Sequence, residues 1–345
     1  MRKILLLSLL PILSFSQNND AAKKIIYEGI KLHDEGKYSE AIEKYNEALK
    51  LDKDNHFALT EKAMSLEATK KYEESIEICQ YLLSKYPKED NKTVYITYGN
   101  SLDHSNKPDE AIKIYDLGIK TYPDYYQLYF NKAITLINKK ETEKSLENFQ
   151  KSAILNPNHA GTMNALALLN NNQRIISILS SLRYLVIDNR SSRAKTHLES
   201  VLELMNKGVS QNDEKNITVL IDSQETKKKK KKENDFSAVD MILSISTTLD
   251  FDEKNKDKTQ SEKTIYKLES TFSVLKELQK KQKGFYWEFF APYFISLKEN
   301  NLIEPFTYII FLPSQSEDVK DYHQKNAKEI DRFYEWNKNY SWKSK

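Results

Sequence analysis

One pattern recurs four times in the first half of the chain, at intervals of 34, 36 and 34 residues. In each copy a small residue occupies the same slot, and a bulkier residue follows four positions later. The small residues are Ala41, Ser75, Ala111 and Ser145, and the bulkier ones are Tyr45, Cys79, Tyr115 and Phe149. A period of this length indicates that each copy is one supersecondary unit and that stacked copies share a continuous core.

Each copy begins with another apolar pattern that also contains a small residue. These residues are Gly29, Ala63, Gly99 and Ala133, and Ala167 continues the series. The apolar residues around them have helical spacing, which predicts two helices per copy. Three of the four copies close with a proline, at Pro87, Pro123 and Pro157, where a helix cannot continue.

This pattern of paired helices, over Ala22 to His159, resembles the tetratricopeptide repeat family. The resemblance implies a right-handed α-solenoid of helix pairs. We predict an all-α fold in which a small, mainly helical C-terminal domain follows this solenoid. The predicted repeats are 22–55, 56–89, 92–125 and 126–159, with a degenerate copy at 160–207. The third copy carries two extra residues near Glu89 to Lys92. In the fifth, Arg174 to Val186 and Ser192 to Lys207 are predicted to form a last helix pair that caps the solenoid.

The resemblance assigns ligand binding to a concave groove made by the first helices of successive repeats. The hypothetical peptide-binding residues are Ile30, Met64, Ile96, Asn100, Phe130, Asn131, Ile134 and Asn164. Side-chain amides can donate to and accept from the backbone of an extended peptide, and apolar side chains can supply pockets. The alternative is that the same apolar residues pack against the protein's own C-terminal region.

The composition changes after Lys207. Residues 208–235 are predicted to be a linker, because the six consecutive lysines Lys227 to Lys232 repel one another and cannot form a core. An alternative role for this run is weak contact with an anionic surface. Residues 236–345 are predicted to be an aromatic-rich helical domain that resembles no family, with helices at Phe236 to Leu249 and Asp318 to Trp336. The segment EPFTYIIFLPS leaves strand and buried helix both open.

The N-terminus has the layout of a secretory signal. Arg2 and Lys3 precede an apolar run, Ile4 to Phe15, which gives way to polar residues at Gln17. We therefore predict a signal peptide at 1–16 and an exported protein of bacterial type, periplasmic or secreted. Without it the chain has 51 basic and 50 acidic residues, and this even balance argues against a nucleic-acid partner.

No constellation typical of an active site or a metal site is present in the sequence. The six histidines are dispersed, Cys79 occupies a packing slot, and no glycine-rich phosphate loop occurs. We therefore predict that the protein is not an enzyme and needs no metal or cofactor.

The predicted function is that of a non-enzymatic protein–protein interaction adaptor or scaffold of the cell envelope, which binds a peptide or protein segment in the groove. One alternative is an enzyme whose site lies in the C-terminal region, assembled from residues such as Glu288, Tyr293, His323 and Glu329. Another is a structural protein associated with the envelope surface through Lys227 to Lys232.

Overall fold

The computed structural model describes residues 10–212, 216–220 and 233–342, with side chains from residue 20 onward. The protein is 77% helical, and its described residues form seventeen α-helices and one two-stranded hairpin. The predicted all-α class is therefore confirmed. The chain divides into two compact units, Met1–Lys151 and Ser152–Lys345. The predicted division at a linker of residues 208–235 stays a prediction.

Successive helices of the first unit form pairs. The pairs are α1 (Leu10–Asp34) with α2 (Tyr38–Leu51), α3 (His56–Ala68) with α4 (Tyr72–Lys85), α5 (Lys92–His104) with α6 (Pro108–Thr121), and α7 (Tyr126–Asn138) with α8 (Thr142–Leu155). The first helix of each pair contains the small residue Gly29, Ala63, Gly99 or Ala133. The second helix contains the other small residue of the repeat and the bulky residue four positions after it. The paired-helix prediction is thus confirmed.

In the first and third pairs, the small residue of the first helix lies against the bulky residue of the second. Tyr45 faces Gly29, and Tyr115 faces Gly99, so closely that an added Cβ would lie 2.5 Å and 2.3 Å from a ring carbon. Both tyrosine rings are buried. The glycines are therefore required by close packing, because a methyl group at either position would overlap the ring.

The turn inside each pair has the same geometry in all four copies. Gly36, Lys70, Asn106 and Lys140 have positive φ angles between 61° and 76°. In each case the next backbone N–H reaches back five residues to a carbonyl of the first helix, as from Lys37 to Leu32. This is the Schellman motif, which satisfies carbonyls left over at a helix C-terminus.

The two extra residues of the third copy are held in place by Asn91. Its side-chain amide donates to the carbonyls of Tyr86 (2.7 Å) and Glu89 (3.2 Å), and its Oδ1 is 2.9 Å from His56 Nε2. Asn91 is buried. The longer connection is therefore an ordered turn closed by its own side-chain hydrogen bonds.

Substituting Gly99 by alanine tests the close contact with Tyr115. We expect Gly99→Ala to lower the free energy of unfolding by about 1–3 kcal/mol, because the methyl group overpacks the ring. In a Tyr115→Leu background the same substitution is expected to be neutral or stabilising, since alanine is the better helix former. Urea unfolding of the four variants measures both effects. A destabilisation that is equal in the two backgrounds would contradict the packing account.

The second unit is built around α10. Its helices are α9 (Ala160–Leu169), α10 (Arg174–Ile187), α11 (Ser192–Asn206), α12 (Ser237–Thr248), α13 (Gln260–Leu278), α14 (Ala291–Glu299), α15 (Ile303–Ile310), α16 (Glu317–Lys325) and α17 (Ala327–Asn339). Every residue from Ile175 to Val186 is buried, and α10 contacts α9, α11, α12 and α15. The predicted helix pair is present as α10 and α11, which contact each other, and its role as a cap of the solenoid stays a prediction.

The ring-rich segment of the second unit is buried within that unit. A π-helical turn covers Tyr286–Phe290. Trp287 stacks on Phe236, with ring centroids 4.3 Å apart, and its Nε1–H donates to the carbonyl of Asp235 (3.0 Å). Tyr286 hydroxyl accepts a hydrogen bond from the side chain of Asn170 (2.8 Å). The rings therefore serve as core, with their polar atoms satisfied.

Arg183 is a charged residue of this core with no exposed surface. Its guanidinium donates to the carbonyl of Pro157, to Asn158 Oδ1, to Asn337 Oδ1 (2.9 Å) and to Tyr293 hydroxyl (3.2 Å). It also lies over the ring of Tyr293, 4.9 Å from the centroid. Burial lowers the pKa of this guanidinium, which stays charged because an arginine pKa starts so high.

Two further cations lie at the C-terminal end of α11. Arg174 donates to the carbonyls of Leu204 (2.6 Å) and Met205 (2.9 Å). Lys267 Nζ, also buried, is 2.6 Å from Asp250 and 2.8 Å from Asn206 Oδ1. Positive groups are favourable there because the last carbonyls of a helix lack intrahelical partners and carry partial negative charge.

Replacing Arg183 by methionine keeps the apolar part of the side chain and removes its hydrogen-bond donors. We expect Arg183→Met to lower the free energy of unfolding by about 2–4 kcal/mol, because buried acceptors are left without partners. Chemical denaturation followed by near-UV circular dichroism measures the loss. The control is Arg332→Met, which removes exposed contacts with Glu329 and with the carbonyls of Asn300 and Asn301 and should cost less than about 1 kcal/mol. Equal losses would refute the role assigned to Arg183.

Three local features differ from the sequence prediction or extend it. Val209–Gln211 and Ile217–Val219 form an antiparallel hairpin within the predicted linker, while Lys227 to Lys232 lie outside the described residues.

The single helix predicted at Asp318 to Trp336 is wrong: Asn326, with φ −118° and ψ 33°, ends α16. Asparagine is a weak helix former, which explains the break. The segment left open as strand or helix is helix α15.

The predicted signal peptide falls partly outside the described residues. Residues 1–9 are not described, and Leu10 begins α1, which continues to Asp34. Across the described ranges, no helix has the length and apolarity needed to span a membrane.

Candidate peptide-binding face

The first helices of the first unit contact one another in succession, α1 with α3, α3 with α5, and α5 with α7. The surface that these four helices present is called the first-helix face below. Seven of the eight predicted binding residues belong to these helices: Ile30, Met64, Ile96, Asn100, Phe130, Asn131 and Ile134. The eighth, Asn164, lies on α9 of the second unit.

The predicted residues of the first-helix face remain accessible. Ile134 is exposed (39%), and Ile30, Met64, Asn100 and Phe130 are half-buried. Ile30, Met64, Asn100 and Ile134 each follow directly after the buried small residue of their helix. The face therefore offers apolar and amide groups in a row, one set per repeat, as a binding surface for an extended segment requires.

The predicted amides are already oriented by hydrogen bonds. Asn100 Oδ1 accepts from Tyr115 hydroxyl (2.7 Å), and Asn131 Nδ2 donates to the carbonyl of Gln127 (2.8 Å). Asn164 Oδ1 is 3.0 Å from His197 Nε2. Each amide is thus held in one orientation, so its remaining hydrogen-bond donors and acceptors point in fixed directions.

The structure adds carboxylates to this face, a feature that the sequence pattern does not predict. Glu67 on α3 has a side chain only 18% exposed, with His104 Nδ1 3.9 Å away. Burial raises the pKa of Glu67 to about 7, and a hydrogen bond with Asn100 opposes the shift. The pKa of Glu61 is also raised, first by burial and then by the charge of Asp34.

These carboxylates differ from those elsewhere in the first unit. Lysines pair with the outer ones: Glu28 with Lys44, Asp54 with Lys85, Asp109 with Lys139, and Asp116 with Lys132. By contrast, within the part of the chain that the structure describes, no lysine or arginine forms an ion pair with Asp34, Glu61, Glu67 or Asp103. Among the described residues, these four carboxylates of the first helices therefore differ from the outer ones in lacking a lysine or arginine partner.

Glu67 makes the stability of the first unit depend on pH. Its folded-state pKa of about 7 lies above the ordinary value of 4.5, so the free energy of unfolding falls as the pH rises through this interval. We expect Glu67→Gln to stabilise the protein by about 2 kcal/mol at pH 8 and to be neutral at pH 4. Urea unfolding at both pH values measures this. A glutamine variant that is less stable at pH 8 would contradict the assignment.

Residues that could support catalysis are dispersed in the structure. Cys79 is buried, which raises the pKa of its thiol. Glu288 accepts from the N–H of Gly284, and Glu329 pairs with Arg332. Of the remaining two candidates, His323 contacts the carbonyl of Tyr308, and Tyr293 hydroxyl donates to Asn337 Oδ1. The four residues proposed for an alternative active site therefore have separate partners. Among the described residues, no three His, Cys, Asp or Glu side chains are arranged to hold a metal ion.

Sequence models of known families match three stretches of the first unit and its last helix pair. A TPR repeat model matches residues 29–59, and two tetratricopeptide repeat models match residues 57–89 and 126–159. The first unit therefore contains tetratricopeptide repeats. The copy with the two extra residues, 92–125, falls outside these matches but has the same helix pair and the same Schellman turn.

Several solved structures are similar to about half of the chain. TTC0263 of Thermus thermophilus is 14% identical with a TM-score of 0.47, covering 52% of this chain and 99% of its own. Pseudomonas aeruginosa pilF is 17% identical (TM-score 0.44), covering 55% and 90%. YrrB, described as having an unusual peptide-binding site, is 16% identical (TM-score 0.38), covering 54% and 96%. No curated protein sequence matches the chain.

Tetratricopeptide repeats support a protein-interaction adaptor in general, and proteins built from them are typically non-enzymatic binding scaffolds. Their partners are proteins or peptides.

Proposed function

We propose that this tetratricopeptide repeat protein is a non-enzymatic adaptor of the cell envelope that binds a segment of another protein along the first-helix face. The observation that carries the proposal is the row of accessible apolar and amide groups repeated on α3, α5 and α7. Met64, Asn100 and Ile134 occupy the same position in three successive repeats. A row with this spacing suits an extended or helical segment that contacts several repeats at once.

The affinity would come from the centre of this row. Phe130 packs against Phe149, with ring centroids 5.6 Å apart, so its ring is held in place before a ligand arrives. Asn100 and Asn131 are likewise oriented by their hydrogen bonds to Tyr115 and Gln127. A preorganised surface loses little conformational entropy on binding, which favours affinity.

Export to the envelope is part of the proposal and is supported by the sequence alone. Arg2 and Lys3 followed by the apolar run from Ile4 form the start of a secretory signal. The single cysteine, Cys79, means that the exported protein would depend on packing rather than on disulfide bonds.

The triple variant Asn100→Ala, Phe130→Ala, Asn131→Ala tests the binding face. We expect the protein from Gln17 onward to capture a partner from envelope extract and the variant to lose it, because each change removes an oriented contact. Capture followed by mass spectrometry measures this. Circular dichroism must show equal helicity, since Asn100→Ala also removes the acceptor for Tyr115.

A matched control carries three changes on α6, a second helix: Lys113→Ala, Leu117→Ala and Lys120→Ala, all at exposed positions. The control should capture the partner as the unchanged protein does. Loss of capture in both triple variants, or in neither, would refute binding through the first-helix face.

A further inference from the structure

A lysine, an asparagine and an aspartate of the second unit are in direct contact although they are distant in sequence. Lys267 Nζ lies 2.8 Å from Asn206 Oδ1 and 2.6 Å from Asp250 Oδ2. Asn206 is the last residue of α11, Asp250 belongs to the short 3₁₀ turn that follows α12, and Lys267 lies in α13. The fold therefore brings an amine, a carboxamide and a carboxylate together from three elements.

The environment of Lys267 favours the neutral form of its amine. The side chain has no exposed surface. Burial lowers the pKa of the Lys267 ammonium group, the hydrogen bond and charge of Asp250 oppose this shift, and the charges of Lys263 and Arg174 add to it. A lysine amine is a nucleophile only when it is neutral, so a buried lysine is more reactive than an exposed one.

Asp250 is oriented by contacts on both of its carboxylate oxygens. Tyr266 hydroxyl donates to Oδ1, and Lys267 Nζ donates to Oδ2. The turn that carries Asp250 is held by Asn255, whose side-chain amide donates to the carbonyl of Leu249 (2.7 Å). The Asp250 side chain is 16% exposed. A carboxylate fixed beside an amine in this way can accept a proton from it and pass the proton on.

Asn206 supplies a carbonyl carbon next to the amine. Its Cγ is one covalent bond away from Oδ1, the atom that Lys267 Nζ contacts. Groups that a fold holds at this separation react as parts of one molecule, which removes most of the entropic barrier to bond formation. Asn206 is exposed at the end of its helix, so a small leaving group released from its side chain can reach solvent.

We propose that Lys267 and Asn206 join through an intramolecular isopeptide bond, with Asp250 as the acid–base group. Asp250 takes a proton from the Lys267 ammonium group, and the neutral Nζ then attacks Cγ of Asn206. The bond between Cγ and Nδ2 breaks as Nδ2 receives protons from Nζ through Asp250. The products are a secondary amide between Nζ and Cγ and one ammonium ion, and Asp250 ends as the carboxylate it was. No oxidant or other reactant is consumed.

The bond would tie α11 to α13 and close the part of the chain between them, residues 207–266. That part contains the six lysines Lys227 to Lys232, which favour an extended chain by mutual repulsion. A cross-link stabilises a fold by restricting the unfolded chain, and the single Cys79 rules out an intramolecular disulfide for this purpose. The inference concerns the second unit alone and is independent of the proposed binding function.

Mass spectrometry of the protein from Gln17 onward tests the bond directly. After incubation at neutral pH to constant mass, we expect the denatured chain to be lighter than its sequence by one ammonia molecule. Trypsin should then yield a branched peptide in which residues 196–207 are joined to 264–276, because trypsin does not cleave after an acylated Lys267. A chain of full mass, or an ammonia loss without the branched peptide, would overturn the proposal.

Three variants assign the roles of the residues. Asn206→Ser, at an exposed position, removes the carbon that is attacked, and Asp250→Asn removes the acid–base group, so both should keep the full mass. Asn300→Ser is the matched control, because Asn300 also lies at a helix C-terminus, after α14, and it should form the branched peptide as the unchanged protein does. Ammonia loss that persists in Asn206→Ser or Asp250→Asn would contradict the assignment.

Discussion

The first unit depends on how closely the two helices of each repeat approach one another. Gly29 and Gly99 lie against the rings of Tyr45 and Tyr115, where no Cβ fits. Ala63 and Ala133 take the same place in the repeats whose bulky residue is Cys79 or Phe149. The small residue and the bulky residue therefore vary together: glycine occurs where the bulky residue is tyrosine, and alanine occurs where it is cysteine or phenylalanine. This pairing fixes the crossing of each helix pair, and the Schellman turns at Gly36, Lys70, Asn106 and Lys140 fix the reversal between its helices.

The close approach also determines what the first-helix face can present. The small residues point inward, so the residues that directly follow them, such as Met64 and Asn100, are left on the surface. The Tyr115 hydroxyl donates to Asn100, a residue of that surface. Packing inside a repeat and ligand chemistry outside it are thus coupled through one side chain.

Much of the fold could be predicted because the repeat period is a direct consequence of stacking similar units. The helix pairs and their small and bulky slots follow from Ala41, Ser75, Ala111 and Ser145. Other features have no local signal. Lys70 and Lys140 adopt positive φ although lysine does not favour it, and α10 is buried on all sides because of elements distant in sequence. The break at Asn326 depends on one weak helix former within a continuing apolar pattern.

The candidate face was predictable in position and less so in chemistry. Ile30, Ile96, Phe130 and Ile134 follow from the period alone. Among the described residues no lysine or arginine pairs with Glu61 or Glu67. This does not follow from the period, because it depends on which lysines of neighbouring helices reach them. From sequence alone, an acidic residue on a helix is expected to be exposed to solvent. Only the structure shows that Glu67 is largely buried.

Site-specific photo-crosslinking tests most directly whether the first-helix face is where a partner binds. A benzophenone side chain is placed at Ile134 on α7, which is 39% exposed, or at Leu117 on α6, which is 52% exposed. The account predicts that, in envelope extract, the partner crosslinks from position 134 and not from position 117, although the latter is more exposed. Crosslinking from position 117, or equal yields from both, would contradict it.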